Sequence, residues 1–193
     1  MTSALDDAAR YHGFGWSGRW YDTFDDFFIT AIGSDSDSSG AYAWLLLDYR
    51  FLQVGGCQQR VATGNDVLIG FDKCGKHTFL KLEPSRQMVG VNEPVVVMVT
   101  NGSTGVPVSG ARVGTATTGG DGRATLTFLT PGPQTLKAEK YCTVRSDKAV
   151  VVVLAGNTAA EVGEDVLSSV VVHDEISAIN CGAQGTGEVE REL

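Results

Sequence analysis

The sequence predicts an all-β fold, and the stretch from residue 94 to residue 154 provides the clearest evidence for it. It consists of short β-branched runs such as PVVVMVT and AVVVVL, which turn residues separate about every 8 to 12 positions. Glycines at 119, 120 and 122 offer positive-φ positions for a tight reversal between residues 115–118 and 124–128. This rhythm is typical of an immunoglobulin-like β-sandwich, which we expect over residues 86–155.

Residues 14–83 predict a separate small β-domain that is rich in aromatic side chains. They contain all three tryptophans, apolar strands at 41–49, 61–72 and 78–82, and one expected helical turn near Phe24–Phe28. Residues 1–13 predict a short helix, capped by Ser3 with Asp6 and ended by Gly13. Residues 84–92 are the expected junction between the two β-domains.

The charge of −8 is concentrated at the C-terminal end of the chain. Residues 1–156 hold 14 basic and 15 acidic side chains, whereas residues 157–193 hold one basic and eight acidic ones. The sequence therefore predicts a near-neutral body and an acidic, partly disordered tail over 156–193. A near-neutral body with such a tail disfavours nucleic-acid binding. The longest apolar runs are of strand length, so no transmembrane segment is expected.

Four cysteines, at 57, 74, 142 and 181, contain no C-x-x-C pair. Cys57 and Cys74 flank one strand-turn unit and could close a loop in an exported protein, which is one of three possible pairings; the alternative is free thiols in a reducing compartment. Asn101-Gly102-Ser103 is an N-glycosylation acceptor in an expected turn. We expect an extracellular or cell-surface protein, or a cytoplasmic one if Met1 is the true start, since residues 1–13 do not resemble a secretory leader.

No pattern in the sequence indicates a metal or a cofactor, and we predict neither. The loop 35–40 opens like a calcium-binding loop, but its twelfth position is Leu46, where a bidentate glutamate is needed. The three histidines, His12, His77 and His173, are scattered along the chain. Three carboxylates near aromatic residues are the candidate acid–base groups of any enzyme: Asp25, Asp26 and Asp48.

Three segments carry a family resemblance: Trp44-Leu-Leu-Leu-Asp-Tyr, Val54-Gly-Gly-Cys-Gln and Thr63-Gly-Asn-Asp-Val-Leu. Together they resemble the transcobalamin C-terminal-like domain of unknown function, which occurs in secreted bacterial and fungal proteins. The resemblance extends over about residues 2–155 and is greatest to a secreted fungal subgroup that pairs this domain with a bacterial-type Ig-like domain. It implies a transcobalamin-like β-domain at 14–83 and a secreted protein.

The function that these features favour is a non-enzymatic binding or cell-surface interaction module. Its partner would be a small molecule or glycan, held by the aromatic-rich domain while the Ig-like part acts as a spacer. Four aromatic residues are predicted to line the site: Trp16, Trp20, Phe28 and Tyr49. The alternative is a small-molecule enzyme of secondary metabolism, a cyclase or isomerase with an aromatic pocket and aspartate acid–base groups. A purely structural protein is the third possibility.

Overall fold

The computed structural model describes residues 1–37, 42–72, 74–75, 78–155 and 188–191. Within these residues the chain is mostly β-strand with one short N-terminal helix, as the sequence predicts. It divides into two compact units, unit 1 (residues 1–77 and 174–193) and unit 2 (residues 78–173). The division precedes the expected junction at 84–92, because the strand that follows residue 78 pairs with strands of unit 2.

In its described residues, unit 1 is built from one helix and two small antiparallel sheets. Its elements are α1 (Thr2–His12), β1 (Trp16–Tyr21), β2 (Asp26–Ile32), β3 (Asp35–Ser36), β4 (Tyr42–Leu47), β5 (Arg50–Phe51), β6 (Val67–Asp72) and β16 (Glu188–Arg191). One sheet has the order β16-β1-β2-β3 and the other β5-β4-β6. The helical turn expected near Phe24–Phe28 is not formed, since residues 22–25 make a turn and Asp26 begins β2.

Helix α1 packs one face against the sheets of unit 1. Leu5 and Ala9, four residues apart, lie on that face and form a core with Trp16 and Ile29. Gly13 adopts a left-handed conformation (φ 68°), and its N–H donates to the carbonyl of Ala9, so the helix ends where predicted. The predicted capping is absent, because the helix begins at Thr2 and Ser3 therefore lies inside its first turn.

Part of the C-terminal tail joins unit 1. Strand β16 runs antiparallel to β1, with Trp16 opposite Arg191 and Arg19 opposite Glu188. The sequence predicts an acidic, partly disordered tail, and the acidic end that forms β16 is expected to be disordered. The remainder of that tail lies outside the described residues, as does Cys181.

Unit 2 is built from nine strands among the described residues. They are β7 (Leu80–Pro84), β8 (Met88–Gly90), β9 (Pro94–Asn101), β10 (Arg112–Val113), β11 (Ala116–Thr117), β12 (Arg123–Thr127), β13 (Gly132–Leu136), β14 (Ala138–Glu139) and β15 (Ala149–Leu154). They form sheets of order β12-β9-β7, β13-β15-β8 and β11-β10-β14. All pairs in these sheets are antiparallel except β15 with β8, which is parallel.

The sheets of unit 2 share one hydrophobic core, to which alternate residues of each strand contribute. In β9, Val95, Val97 and Val99 are fully buried, and in β15, Val151 and Val153 face the same core. The reversal expected after residue 118 is present. Its glycine turn joins β11 to β12, which belong to different sheets.

Candidate functional site

The hairpin of β1 and β2 sorts the aromatic side chains of unit 1 between its two faces. Trp16, Gly18 and Trp20 alternate along β1 as buried residues, while Arg19 and Tyr21 between and after them are exposed. On β2, Phe27 packs against the core and its ring contacts both tryptophans edge-on, at centroid distances of 5.8 Å from Trp16 and 5.0 Å from Trp20.

Both tryptophans predicted to hold a ligand have their polar edge satisfied within the protein. Trp16 is 1% exposed, and its indole N–H donates to Asp6 at 3.0 Å. Asp6 is fully buried and forms an ion pair with Arg10, one turn further along α1. Trp20 is 9% exposed, and its indole N–H donates to Asp22 at 2.8 Å. Their rings stabilise the core of unit 1 and present little surface to solvent.

The other two predicted site residues lie apart from each other. Tyr49 is buried in the turn between β4 and β5, in the sheet that does not contain the hairpin. Phe28 is on the outer face of β2 and is 38% exposed. Of the four aromatic residues predicted to line a site, only Phe28 is therefore on the surface.

Phe28 belongs to an exposed cluster that includes two aromatic residues outside the predicted set. Tyr21 is 40% exposed and Phe24 is 70% exposed, and the Tyr21 ring lies 6.4 Å from that of Phe24 and 6.3 Å from that of Phe28. We call these three residues the hairpin aromatic surface. The sequence signal for this surface is the alternation in W-S-G-R-W-Y. Because successive side chains of a strand point to opposite faces, Tyr21 lies on the face opposite to that of the two tryptophans.

Asp26, a predicted acid–base candidate, anchors a loop. Its carboxylate accepts hydrogen bonds from the backbone N–H groups of Phe27 (2.7 Å), Cys57 (3.1 Å) and Gly56. Burial raises the pKa of Asp26 above its ordinary value, and these three donors and the amino group of Met1 act in the opposite direction. The group is therefore a buried acceptor for the loop that begins at Gly55.

The loop 55–59 fits closely over the turn of the hairpin. A Cβ added at Gly55 would lie 1.5 Å from the Oδ2 atom of Asp26, so a side chain there would displace the carboxylate. The side chain of Gln58 donates to the carbonyls of Phe24 and Asp25, both at 2.9 Å. These contacts fix the turn that carries Phe24, although the two carbonyls themselves lie in an exposed segment.

The remaining carboxylate candidates, Asp25 and Asp48, both have positive φ angles, 49° and 51°. Asp25 is exposed in the hairpin turn beside Phe24. Asp48 accepts hydrogen bonds from the backbone N–H of Asp66 and the side chain of Asn65, both at 2.8 Å. It thus holds the turn after β4 against the start of β6, in a different sheet from Asp25 and Asp26.

The cysteines pair differently from the predicted pattern. Cys74 is disulfide-bonded to Cys142, so it does not close a loop with Cys57. Cys57 is disulfide-bonded as well, and free thiols at these three positions are excluded. The predicted pairing of Cys57 with Cys74 is wrong because closeness in sequence does not establish closeness in space, and four cysteines allow three pairings.

Asn101, the predicted glycosylation site, lies at the end of β9. Its side-chain oxygen accepts hydrogen bonds from the backbone N–H groups of Ser103 (3.0 Å) and Thr104 (3.3 Å), which stabilises the expected turn. Modification at this position stays a prediction.

Within the described part of the chain, no group of three or more histidine, cysteine or acidic side chains could hold a metal ion. No helix among the described residues is long and apolar enough to cross a membrane. Comparison with protein-family models and with curated proteins gave no match to this chain.

Proposed function

We propose that this chain is a non-enzymatic binding or cell-surface interaction module that recognises a small ligand or glycan through unit 1. The observation that carries the proposal is the hairpin aromatic surface, in which Tyr21, Phe24 and Phe28 face solvent together. As in the prediction from sequence, the aromatic-rich domain binds the ligand. The proposed contact residues lie on the outer face of the hairpin, whereas Trp16 and Trp20, which the sequence predicts as contacts, lie on its inner face.

The cluster is unusual because neighbouring aromatic side chains of the same hairpin are buried. Trp16 and Trp20 are buried and Phe27 is half-buried against the same core, so unit 1 can bury large rings where packing requires them. Exposed apolar side chains that cluster, as opposed to single ones, often mark interaction sites. The Tyr21 ring is inclined by 56° to that of Phe24 and by 80° to that of Phe28, so the cluster offers separate aromatic faces, on any of which a sugar ring can stack.

Polar groups that suit a sugar lie at the same turn. Asp22 and Asp25 flank Phe24 in sequence and are exposed, so their carboxylates can accept hydrogen bonds from hydroxyl groups of a ring stacked on it. The turn is held in place from behind by Asp26 and Gln58. A fixed turn reduces the entropy lost when a ligand binds.

The placement of the aspartates supports a binding module over the alternative of a cyclase or isomerase. The carboxylates of Asp26 and Asp48 are each used by backbone N–H groups that fix turns, in two different sheets. The aromatic pocket that the enzyme alternative needs would have used Trp16 and Trp20, whose rings are buried.

The expected setting is extracellular, with unit 2 as a spacer of Ig-like architecture and unit 1 as a transcobalamin-like domain. The disulfide between Cys74 and Cys142 is compatible with an oxidising compartment. The resemblance of the segments after Trp44 to secreted proteins points in the same direction.

The test is affinity electrophoresis and calorimetric titration of the full chain against soluble β-glucan, xylan, mannan and chitin oligosaccharides. We expect one of these neutral glycans to bind with a dissociation constant on the order of 0.1 to 1 mM, as a small stacking surface allows. Removing two rings with Phe24→Ala and Phe28→Ala should weaken binding at least about tenfold, since each aromatic contact contributes about 1 kcal/mol.

The matched control is Tyr11→Ala, which removes an exposed aromatic residue from α1 of the same unit. It should leave binding unchanged. If the folded Phe24/Phe28 double variant binds the glycan as tightly as the unsubstituted chain does, the hairpin aromatic surface is not the binding site. Turnover of a lipophilic substrate that depends on Asp26 would favour the enzyme instead.

A further inference from the structure

Unit 2 contains a surface cleft that the proposed function does not use. Its volume is about 540 Å³, and it is shallow and widely open to solvent. All the residues that line it come from two neighbouring strands of unit 2 and the segments beside them: Gly110, Arg112, Glu139, Lys140, Tyr141 and Arg145. We call this the β10–β14 cleft.

The lining of the β10–β14 cleft is positively charged. Three of its side chains, Arg112, Lys140 and Arg145, are cationic, and Glu139 is the one acid among the lining residues, a balance of +2. The hydrogen bond from Arg112, with the charges of Arg112, Arg145 and Lys137, holds the pKa of Glu139 below its ordinary value. Glu139 is therefore ionised at neutral pH and neutralises only part of the cationic charge.

Two of the cationic side chains at the cleft have partners within unit 2. Arg112 on β10 and Glu139 on β14 are directly opposite each other in the ladder, and their side chains form an ion pair at 2.9 Å. The ammonium group of Lys140 donates to the carbonyl of Ser109 at 2.7 Å. Both cations keep further donors for a ligand, because a guanidinium group has five N–H donors and an ammonium group has three.

Tyr141 presents an aromatic ring at the edge of the same cleft. It is 91% exposed, the highest value among the exposed large hydrophobic side chains of the described residues. The turn that carries it is held by a hydrogen bond from the hydroxyl of Thr143 to the carbonyl of Lys140 at 2.8 Å, and by the disulfide at Cys142. The ring therefore projects into solvent from an anchored backbone.

We infer that the β10–β14 cleft binds a short acidic oligosaccharide, with its carboxylate or sulfate groups on the cationic side chains and a sugar ring on Tyr141. Guanidinium groups bind carboxylate and sulfate through paired N–H donors. An exposed tyrosine beside them adds a flat apolar face, which a simple anion does not need. This site is separate from the hairpin aromatic surface and does not depend on it.

The charge distribution of the chain favours a short acidic ligand over a long polyphosphate. Residues 78–155 hold eight basic and five acidic side chains, a balance of +3, whereas residues 1–77 hold six basic and ten acidic ones, a balance of −4. With a net charge of −8, the whole chain repels an extended polyanion, since such binding depends on many cations along one surface. A ligand confined to the cleft lies nearest to the local cations, whose attraction at contact distance is stronger than the repulsion from the more distant acidic side chains.

The experiment is calorimetric or NMR titration of the full chain with trigalacturonic acid and with a sulfated disaccharide, at low salt. Fully methyl-esterified trigalacturonate, which has the same rings without the charges, is the matched neutral probe. We expect both acidic sugars to bind at least about tenfold more tightly than the ester, and the binding to weaken as salt rises.

Two substitutions should change the affinity in opposite directions. Arg145→Gln removes a cationic side chain from the cleft and should weaken binding of the acidic sugars about tenfold. Glu139→Gln removes the competing carboxylate and should tighten binding several-fold. A gain of affinity cannot result from a misfolded cleft, so the pair stays informative even if one variant is destabilised.

Two further variants separate the parts of the proposal. Arg123→Gln changes the charge of unit 2 equally at an exposed position outside the lining residues, and it should leave affinity unchanged within about twofold. Tyr141→Ala should weaken the binding of the acidic sugars several-fold, and it should leave the weak binding of inorganic sulfate unchanged. The inference is overturned if the methyl ester binds as tightly as the acid, if Glu139→Gln and Arg145→Gln both leave affinity unchanged, or if a ten-nucleotide oligothymidylate binds more tightly than either sugar.

Discussion

Unit 1 and unit 2 have nearly equal lengths of sequence up to residue 155 but are built from different residues. Residues 1–77 contain 13 aromatic residues and three valines, whereas residues 78–155 contain three aromatic residues and 14 valines. Unit 1 therefore places much of its buried surface in a few large rings that also need polar partners. Unit 2 distributes its buried surface over many small side chains on alternating positions.

This difference has a consequence for stability. A large ring such as Trp16 combines apolar packing with a buried hydrogen bond to Asp6, so its loss removes several interactions together. A valine of unit 2 contributes only packing, and each one contributes less. We therefore expect single core substitutions to affect unit 1 more strongly than unit 2.

The largest expected effect is that of Trp16→Ala. It should lower the free energy of unfolding of unit 1 by about 3 to 5 kcal/mol, because it creates a large cavity and leaves Asp6 without its indole donor. Tryptophan fluorescence during urea denaturation measures this, since Trp20 and Trp44, which the variant keeps, both lie within residues 1–77 and report on unit 1.

Two further substitutions serve as comparisons for Trp16→Ala. Val97→Ala, at a fully buried position of unit 2, should cost only about 2 kcal/mol for its two lost methyl groups. Phe24→Ala, at the exposed turn of unit 1, should change stability by less than about 0.5 kcal/mol. Equal losses for Trp16→Ala and Phe24→Ala would mean that the two faces of the hairpin are assigned the wrong way round.

The same difference explains how much of each unit could be predicted from sequence. In unit 2, runs such as PVVVMVT show the period of a strand, and Val95, Val97 and Val99 are buried as the alternation requires. The all-β class and the glycine turn after residue 118 followed from such local patterns. The boundary at residue 77 did not, because the pairing of β7 with β9 is a tertiary contact.

In unit 1 the burial of the aromatic side chains is harder to predict, because an aromatic residue suits both a core and an exposed surface. The sequence predicts core positions for Trp16 and Trp20, but the glycine and polar residues around them make a half-exposed platform more credible there than at Trp44. Their spacing of four along a strand places both on one face, and that face packs against Phe27 and α1. The two-residue period of β1 predicts that both tryptophans share one face of the strand. Which of the two faces is buried follows only from the position of the helix.

The glycine turn gives the largest expected effect in unit 2 that does not involve its core. Gly122 has φ 74°, and an added Cβ would lie 2.6 Å from the carbonyl oxygen of Val99 and 2.9 Å from Pro107. Gly122→Ala should therefore cost about 2 kcal/mol or more, from the left-handed backbone and the contact with β9.

Gly120→Ala in the same turn is the matched control. No described residue lies within 4 Å of its added Cβ, so the free energy of unfolding should change by less than about 0.5 kcal/mol. Circular dichroism during urea denaturation measures both variants, with the tryptophan transition of unit 1 as an internal reference. A loss at Gly120 equal to that at Gly122 would show that neither the left-handed backbone of Gly122 nor its contact with Val99 is the cause.

A smaller effect is expected at Asp26, where unit 1 relies on a buried carboxylate. Asp26→Asn keeps an oxygen that can accept from Phe27 and Cys57 and removes the burial of a charge, so stability at pH 7 should stay within about 1 kcal/mol of the unsubstituted chain. Asp26→Ala removes all the acceptors and should cost about 2 kcal/mol.

The pH dependence separates the charge of Asp26 from its hydrogen bonds. Because burial raises its folded-state pKa, the folded state takes up a proton at higher pH than the unfolded state does. The stability of the unsubstituted chain relative to Asp26→Asn should therefore increase as pH falls through the raised pKa toward about 3.8. A difference that shrinks over this range would mean that the charged form is the one the loop 55–59 favours.

The smallest expected effect on stability is that of the ion pair between Arg112 and Glu139 in unit 2. Both side chains are well exposed, 69% and 40%, and solvent-screened pairs of this kind contribute about 0 to 1 kcal/mol. Glu139→Gln should thus change the free energy of unfolding by less than about 0.5 kcal/mol at pH 7, measured by urea denaturation at low salt.

Since Arg112 lowers the folded-state pKa of Glu139, the small stabilisation is present above the unfolded pKa of about 4.5 and is lost as pH falls through the folded value. A loss of about 2 kcal/mol or more would show that the pair is a structural element of unit 2, and its carboxylate would then not be a removable competitor in a cationic cleft.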